Sequence, residues 1–356
     1  MFRGYNYFPD LRVSPSEIDG LARLPGPTKD LLMPTIRLRR WRGSKNFDAV
    51  MAQLDRALGT ERPFVLDVIR PDEEKCEAHT RLLELSNPAN GYQGWVEFIG
   101  TNQRFIPVLQ VSDDQANVVR EARSLLALRR GIVIRLRRET AWNVQLMNWL
   151  APLDFAGLPI LIVFDYGQVE RLADLGVIAA TVGGLCRRWI EALPTAELTF
   201  TVIASSFPSN FADIHRETAR LEIVERQLHR VLADSLNGVA EVRYGDYGSV
   251  FAGERGISRG GAPRVDLPKP TRWIYHRKEM GGYHAAAAAV VDDPDWDEAL
   301  VIWGADRIRD AASNRLDGLT YPQAWTAIRI HLHLHQQAHF GGGAGGVYDT
   351  DEEWVD

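Results

Sequence analysis

The sequence predicts an α/β fold, a (β/α)8 TIM-like barrel with a C-terminal extension. Short apolar runs rich in Val, Ile and Leu recur before residue 250, and each is followed by a segment whose apolar residues have helical spacing. This alternation is typical of parallel strands joined by crossover helices. Eight such units fit into about 250 residues, which is the count and size of a closed barrel.

The predicted strands are short enough to be buried on both faces. In chain order they cover residues 5–13, 32–39, 63–69, 105–112, 131–137, 158–165, 198–206 and 240–246. The predicted helices between them cover residues 16–24, 47–58, 113–128, 140–150, 168–193 and 213–236. Ser14 or Ser16 before Glu17, and Asp113 or Asp114 further on, are residue types that begin helices.

A doubly wound open α/β sheet is the alternative that the same alternation permits. Its dinucleotide-binding version requires a glycine fingerprint directly after the first strand. The segment DLRVSPSE at residues 10–17 contains no glycine, so the barrel is preferred.

The pattern changes after residue 250. Residues 251–270 are rich in Gly, Pro and Arg and predict a long loop, followed by a strand in TRWIYHRK and a helical tail to about Phe340. We therefore divide the chain into a barrel (1–250), an extension packed on it (251–340) and a flexible, glycine-rich acidic tail (341–356).

Composition restricts the partners and the compartment. The chain has 41 basic and 47 acidic residues and a net charge of −6, which disfavours bulk binding of nucleic acid or of an anionic membrane. Cys76 and Cys186 are the two cysteines, they are far apart, and this usage is typical of a reducing compartment. The N-terminus lacks the apolar core of a signal peptide, and no apolar run approaches the ~18 residues of a membrane helix. We expect a cytoplasmic protein.

Several short segments resemble the phage "beta protein" family, which is expected to take its name from a protein of phage T4 and also occurs in bacterial genomes. They are YFPDLRVSPSEIDGL near the N-terminus, LMPTIRL, FVLDV, RYGDYG and RWIYHRK. Arg12 stands where the family usually has Lys, and Arg37 stands where it tends to have Glu. The resemblance implies the fold and supplies no catalytic residue, because the family is one without an established activity.

Polar side chains at the predicted strand ends are the candidate site, because active sites of barrels lie at the carboxyl ends of the strands. Asp67, Asp165 and Asp246 are the predicted catalytic groups, and Arg12, Arg37 and Arg135 are predicted to bind a negatively charged ligand. Asp67 lies inside its apolar run, so its carboxylate must be paired or hydrogen-bonded. Two other interpretations stay open. Asp165 fits the N-cap of the next helix, and Arg135 with Arg137 fits a structural ion-pair network with Asp67 and Asp165.

The extension contributes two further candidates, Tyr275 and Arg277, whose side chains lie on one side of the predicted strand. This arrangement favours stacking on a planar or phosphate-bearing ligand, and core packing of the aromatic ring is the alternative. The glycines beside Asp246 in RYGDYG fit a ligand-facing loop or a plain turn.

Two clusters invite further assignments. The segment HLHLHQQAH at residues 331–339 places histidines at helical spacing, but it has no acidic ligand and no HExxH motif, so we assign no metal and favour surface or interface histidines. The basic segment RLRRWR at residues 37–42 fits an anionic ligand or nucleic acid, and the acidic run RPDEEKCE argues for local neutralisation of its charge. Nucleic acid is the less favoured partner.

These observations favour a hydrolase or lyase acting on a phosphorylated or nucleotide-like ligand at the barrel mouth. No motif implies a cofactor, since P-loop, nucleophile-elbow and paired-cysteine patterns are absent. The alternative is a non-catalytic protein-interaction scaffold in phage biology or antiphage defence, since barrels host many functions.

Overall fold

A computed structural model describes residues 1–138, 144–169, 172–209, 211, 214, 216–253 and 262–341. The strands are β1 (Tyr7–Arg12), β2 (Thr35–Leu38), β3 (Phe64–Val68), β4 (Phe105–Pro107), β5 (Ile132–Arg137), β6 (Pro159–Gln168), β7 (Glu197–Ser205), β8 (Thr218–Glu222), β9 (Val242–Asp246), β10 (Arg264–Pro268) and β11 (Arg272–Arg277).

The helices alternate with the strands through most of the chain. They are α1 (Pro15–Ala22), α2 (Gly26–Lys29), α3 (Asp48–Leu58), α4 (Glu77–Leu85), α5 (Ala89–Gly100), α6 (Gln115–Ala127), α7 (Val144–Leu150), α8 (Leu175–Ala192), α9 (Val224–Ser235), α10 (Gly282–Val291), α11 (Trp303–Ala312) and α12 (Pro322–Ala338). Asp114 begins α6 as expected, because its side chain accepts hydrogen bonds from the backbone N–H groups of Ala116 and Asn117.

Eight parallel strands form the barrel, in the order β4-β3-β2-β1-β9-β7-β6-β5. A bridge between Val108 and Val133, with a 2.8 Å hydrogen bond from Leu109 N–H to the Val133 carbonyl, joins the two ends of this sheet. The predicted (β/α)8-like barrel is therefore confirmed. The alternative of a doubly wound open sheet is wrong, because such a sheet keeps two unjoined edges.

The last helix, α12, packs into the outer helical layer of the barrel. It lies against α1 and β1, and its residues Ile330 and Leu334 belong to the same apolar core as the barrel strands. Thr326 near its start lines the barrel mouth, whereas the Asn6 side chain before β1 donates a 3.3 Å hydrogen bond to the Ala338 carbonyl at its end. The helix thus runs opposite to the strands and occupies the place of the eighth barrel helix, between β9 and β1.

The remaining part of the extension has its own core. Strands β10, β11 and β8 form an antiparallel sheet in that order, and α10, α11 and one face of α12 bury their apolar residues against it. Strand β8 reaches this sheet as an insertion after β7. The insertion therefore connects two distant parts of the chain.

Two local predictions in this region are wrong. Residues 264–268 form β10 rather than part of a loop, and residues 218–222 form β8 rather than the start of a helix that extends to residue 236. Both strands are short and pair with β11, so the interactions that make them strands are non-local. Residues 254–261 of the predicted loop, and the tail from residue 342 onward, lie outside the described residues.

Candidate functional site

Arg135 on β5 is the centre of an ion-pair network inside the barrel. Its guanidinium contacts Asp10 (Nη1 to Oδ1 2.9 Å, Nη2 to Oδ2 3.1 Å), Asp165 (Nε to Oδ2 3.0 Å, Nη2 to Oδ2 2.7 Å) and Asp67 (Nη1 to Oδ2 3.2 Å). A guanidinium carries five N–H donors, so all of them are used on these three buried carboxylates. The sequence offered an ion-pair network of Arg135 and Arg137 with Asp67 and Asp165 as an alternative to a catalytic site. The structure contains this network.

The charges of the network stabilise one another. Burial alone would lower the pKa of Arg135, but the nearby Asp10 and Asp165 outweigh it and raise that pKa well above its ordinary value. Burial would likewise raise the pKa of Asp165, but Arg135 and the hydroxyl of Tyr247, which donates a hydrogen bond to this carboxylate, lower it. Asp165 lies within β6 and does not cap a helix, so the N-cap interpretation is wrong.

Arg37 and Arg137 continue the network toward the barrel mouth. Arg37 Nε lies 2.9 Å from Asp10 Oδ2 without the alignment of a hydrogen bond, and its guanidinium lies over the ring of Tyr247 at 5.4 Å from the centroid. Arg37 Nη2 is buried and has no hydrogen-bond partner among the described residues. Arg137 Nη2 lies 3.6 Å from Asp67 Oδ2.

A cavity of about 1240 Å³ opens at the carboxyl ends of the strands. It is lined by the loops after β1, β2, β3, β4 and β9 and by the end of β5, and it exceeds the usual range of small-molecule sites, roughly 300–1,000 Å³. The charged side chains in its wall are eight arginines and three carboxylates. They are Arg12, Arg37, Arg39, Arg40, Arg42, Arg70, Arg135 and Arg137, with Glu17, Asp67 and Asp72. Asp10 and Asp165 lie directly behind the wall and pair with Arg37 and Arg135, so the local excess is three positive charges.

Two carboxylates of the acidic run that follows β3 do not pair with the basic segment 37–42. In that run, Glu73 pairs with Lys75 at 2.7 Å and Glu74 accepts a 2.7 Å hydrogen bond from the Thr80 hydroxyl. The expectation of local neutralisation is therefore wrong for these two carboxylates, because they bind within their own loop and helix. The wall of the mouth carries more arginines than carboxylates, although the whole chain has a net charge of −6.

Arg12 holds the loop after β9 at the edge of the cavity. Its Nη2 lies 3.0 to 3.2 Å from the carbonyl oxygens of Phe251, Ala252 and Gly253. Its backbone N–H donates a 2.6 Å hydrogen bond to Glu17, and burial raises the pKa of that glutamate while the charge of Arg12 opposes the shift. The guanidinium of Arg12 therefore positions a loop in addition to lining the mouth.

Asp246 lies on the other side of the barrel wall. In the pairing of β9 with β1, Asp246 lies opposite Pro9, and its side chain faces out of the barrel together with those of Tyr7 and Tyr244. The hydroxyls of both tyrosines donate hydrogen bonds to the Asp246 carboxylate. His333 of α12 contributes a third contact, 2.8 Å from Nε2 to Oδ2. The expectation that Asp246 joins the other carboxylates at a shared mouth is wrong, because this residue is buried between β9 and α12.

Tyr275 and Arg277 lie in the antiparallel sheet of the extension and do not line the cavity. The buried ring of Tyr275 packs edge-on against Phe211 at 5.3 Å, as the core-packing alternative predicts. Arg277 donates hydrogen bonds to the carbonyl oxygens of Phe211 (2.8 Å) and Ile214 (3.3 Å). The structure therefore does not bring these two residues to the predicted mouth.

The histidine cluster of residues 331–339 lies in and just after α12, on the inside of the protein. His331, His333 and His335 are buried, with contacts to the Arg23 carbonyl (3.1 Å), to Asp246 and to the Thr28 hydroxyl (3.1 Å). The expectation of surface or interface histidines is wrong, because α12 is covered on nearly all sides. Within the described ranges, no group of three or more His, Cys, Asp or Glu side chains is placed to hold a metal ion.

Asp10 is the residue that sequence reasoning missed. It is 1% exposed and contacts both Arg135 and Arg37. The signal was present, since Asp10 interrupts an apolar run in the same way as Asp67 does. Of the predicted residues, Asp67, Arg12, Arg37 and Arg135 line the cavity, and Asp165 supports it from below through Arg135.

Comparison with known proteins places these features in a family. The model of the family described as Beta protein matches residues 7–339. Protein beta of Enterobacteria phage P4 is 29% identical to this chain over an alignment of 366 positions. The alignment covers 99% of this chain and 98% of that protein. The expected phage was T4, and that expectation is wrong, because the relative belongs to phage P4. No solved structure matches the chain.

Proposed function

Because the chain belongs to the Beta protein family and an arginine-lined cavity opens at the mouth of its barrel, we propose that it binds a phosphorylated or nucleotide-like ligand there and acts on it as a hydrolase or lyase. The observation that carries the proposal is the excess of arginines over carboxylates in the cavity wall. Guanidinium groups bind phosphate oxygens in a bidentate manner, and a concave basic surface attracts anions from a distance.

The arginines differ in what they can offer to a ligand. All N–H donors of Arg135 bind carboxylates and none is left for a ligand. Its role is therefore to fix the positions of Asp10, Asp67 and Asp165. Arg37 presents the buried Nη2 described above, and Arg39, Arg40 and Arg42 on the same loop are exposed. We assign phosphate binding to Arg37 and to this exposed loop.

Asp67 is the carboxylate best placed for acid or base chemistry. It lines the cavity, whereas Asp10 and Asp165 do not. Its Oδ1 accepts a 2.8 Å hydrogen bond from the Val68 N–H, and its Oδ2 faces Arg135 and Arg137. A carboxylate fixed in the wall of the cavity fits the transfer of a proton to or from a phosphorylated ligand bound there.

We expect Arg39→Gln to weaken binding of phosphorylated ligands at least about tenfold, because one charge-assisted contact contributes roughly 1.5–3 kcal/mol. Titration calorimetry with inorganic pyrophosphate and with nucleoside triphosphates measures this change. The affinity of the wild type should also fall as ionic strength rises.

Arg123→Gln is the matched control, because Arg123 is exposed on α6 and does not line the cavity. It should bind as the wild type does. If neither class of phosphate binds to the wild type at millimolar concentration, or if Arg39→Gln and Arg123→Gln behave alike, the arginine-lined mouth is not an anion site.

We expect Asp67→Asn to abolish turnover of a bound phosphorylated ligand while retaining its binding, because the amide keeps the size of the side chain and loses the proton-transfer group. Release of inorganic phosphate or of a cleaved product, followed alongside calorimetry on the same preparation, separates the two effects. Equal turnover in both proteins would remove Asp67 from the chemistry.

The second candidate function is a non-catalytic interaction scaffold with a protein partner, in phage biology or antiphage defence. It is favoured by the pairing of Asp10, Asp67 and Asp165 with one arginine, which is also the arrangement of a rigid structural core. Ligand binding without turnover in the wild type and in Asp67→Asn would support this candidate over the enzyme.

A cytoplasmic location is part of the proposal. Cys76 and Cys186 are free thiols, and burial raises the pKa of Cys186 to about 12, which keeps that thiol unreactive. None of the helices in the described ranges has both the length and the apolar character of a membrane span.

A further inference from the structure

The cavity at the barrel mouth has two chemically different walls. The loops after β1 and β2 contribute Arg12 and the arginines of residues 37–42 to the first wall. A second wall, built by the loop after β3, by α4 and α5 and by the end of β4, is mainly apolar. Its apolar lining residues are Val68, Ile69, Pro71, Leu82, Pro88, Tyr92, Val108, Leu109 and Val111, and the polar side chains of Arg70, Asp72, His79, Ser86 and Gln110 lie among them.

From this division we propose that the ligand is a nucleoside polyphosphate, with its base against the Tyr92 wall and its phosphates on the 37–42 loop. The inference rests on the proposed function, because it assigns the ligand class of that same site. A phosphate chain alone would leave the accessible apolar surface at Ile69, Pro71, Pro88 and Val111 in contact with water, whereas a nucleoside covers it and gains from burial of its base. The cavity is also far larger than a phosphate chain needs.

Tyr92 reaches the cavity through an unusual turn at the start of α5. Asn90 (φ 54°), Gly91 (φ 72°) and Tyr92 (φ 54°) are three consecutive residues in the left-handed region. Such a conformation is unfavourable for asparagine and tyrosine, and backbone strain of this kind concentrates at ligand sites. The surrounding structure enforces it here at a residue that lines the cavity, although its side chain is only 6% exposed and belongs to the apolar core.

The turn is fixed against α6. The Gly91 N–H donates a 3.1 Å hydrogen bond to the Asn117 side chain, and a Cβ at Gly91 would lie 2.8 Å from Cβ of Arg120. A side chain at position 91 would therefore push the turn away from α6. The wall that carries Tyr92 is held in place in the free protein, which lowers the entropic cost of binding.

The same wall also carries a polar group that can form a hydrogen bond with a nucleobase. Gln110 lines the cavity and places an amide beside Val111, while its Nε2 donates a 3.2 Å hydrogen bond to the Val108 carbonyl. Val111 is 38% exposed, so apolar surface at this position remains accessible. The small accessible part of the Tyr92 side chain, an exposed aliphatic side chain and an amide are a suitable set for contact with one nucleobase.

The experiment compares probes that share charge and differ in the nucleoside. ATP, GTP, CTP and UTP are titrated into the full chain in parallel with inorganic tripolyphosphate, and dissociation constants are measured by calorimetry. We expect at least one nucleoside triphosphate to bind about tenfold or more tightly than tripolyphosphate, because burial of the base against the apolar wall adds to the binding of its phosphates.

Two variants test the apolar wall. Tyr92→Leu removes the ring, and Val111→Ser changes an exposed position that does not endanger the fold. Both should weaken nucleoside triphosphate binding several-fold and leave tripolyphosphate binding within about twofold of the wild type. Arg39→Gln should weaken both probes.

The outcomes separate this inference from the proposed function. If tripolyphosphate binds as tightly as every nucleoside triphosphate and Arg39→Gln weakens both, the nucleoside assignment is overturned while the anion site stands. If no probe binds, both are overturned. If nucleoside triphosphates bind more tightly but Val111→Ser and Tyr92→Leu retain that preference, the base lies elsewhere and the inference also fails.

Discussion

Arg135→Met is expected to lower the free energy of unfolding by about 3–5 kcal/mol at neutral pH, because it leaves buried carboxylates without their counter-ion. Asp10, Asp67 and Asp165 all lose contacts when this guanidinium is removed. Methionine fills a similar volume without strain, so the loss measures the missing charge rather than a cavity. Chemical denaturation followed by circular dichroism gives the value.

A double-mutant cycle distinguishes charge from packing. Asp165→Asn in the Arg135→Met background should recover part of the lost stability, because one of the uncompensated charges is then removed. Arg123→Met on the solvent face of α6 is the control and should stay within about 0.5 kcal/mol of the wild type. A loss below about 1 kcal/mol in Arg135→Met would mean that the network does not hold the barrel interior together.

The ion-pair network explains why part of the site could be predicted from sequence. Within a strand, alternation of side chains is a local property, so the amino-acid sequence is sufficient to place Arg135 and Arg137 on one face. A carboxylate inside an apolar run must find a cation, which connects Asp67 and Asp165 with Arg135. Asp10 also interrupts an apolar run, so the same argument predicts that it pairs with a cation, as it does with Arg135 and Arg37.

Register between strands is the information that the local pattern lacks. Asp246 also ends a barrel strand, but whether it faces inward or outward depends on pairing with β1, where Tyr7 lies opposite Tyr244. Its partner His333 is 87 residues away in the chain. A shift of one residue in the strand would have placed this carboxylate at the mouth, so strand ends alone could not decide its position.

In the extension, the sequence also predicts a helix without predicting where that helix packs. A helical tail to about Phe340 was predictable from spacing, and α12 ends within that range. Its role as the eighth barrel helix was not predictable, because three polar-looking histidines suggested an exposed face. Burial of polar groups depends on partners such as Thr28 and the Arg23 carbonyl, which come from the opposite end of the chain.

Acidification is expected to unfold the protein through its buried histidines. Burial lowers the pKa of His331 to about 3, and the neighbouring His335 adds to the shift. Burial also lowers the pKa of His335 to about 4, with a contribution from His339, and that of His229 to about 4. The unfolded chain binds these protons near pH 6.5, whereas the folded chain does not.

The stability that these neutral rings contribute is therefore complete above pH 6.5 and is lost as the pH falls toward 4. Each histidine adds about 1.4 kcal/mol per pH unit to the slope of unfolding free energy within that window, and three together add about 4. We expect cooperative loss of helicity well above the pH at which carboxylates titrate, measurable by circular dichroism between pH 7 and pH 3.

His331→Gln isolates one of these contributions. Glutamine can still donate a hydrogen bond to the Arg23 carbonyl, but it does not titrate, so the slope between pH 6.5 and 4 should decrease by about 1.4 kcal/mol per pH unit. The slope is the relevant quantity, because lost packing against Trp303 changes stability equally at every pH. Gln336→Ala on the same helix should keep the slope of the wild type. An unchanged slope in His331→Gln would mean that this ring is already protonated in the folded protein, which its complete burial and the neighbouring His335 argue against.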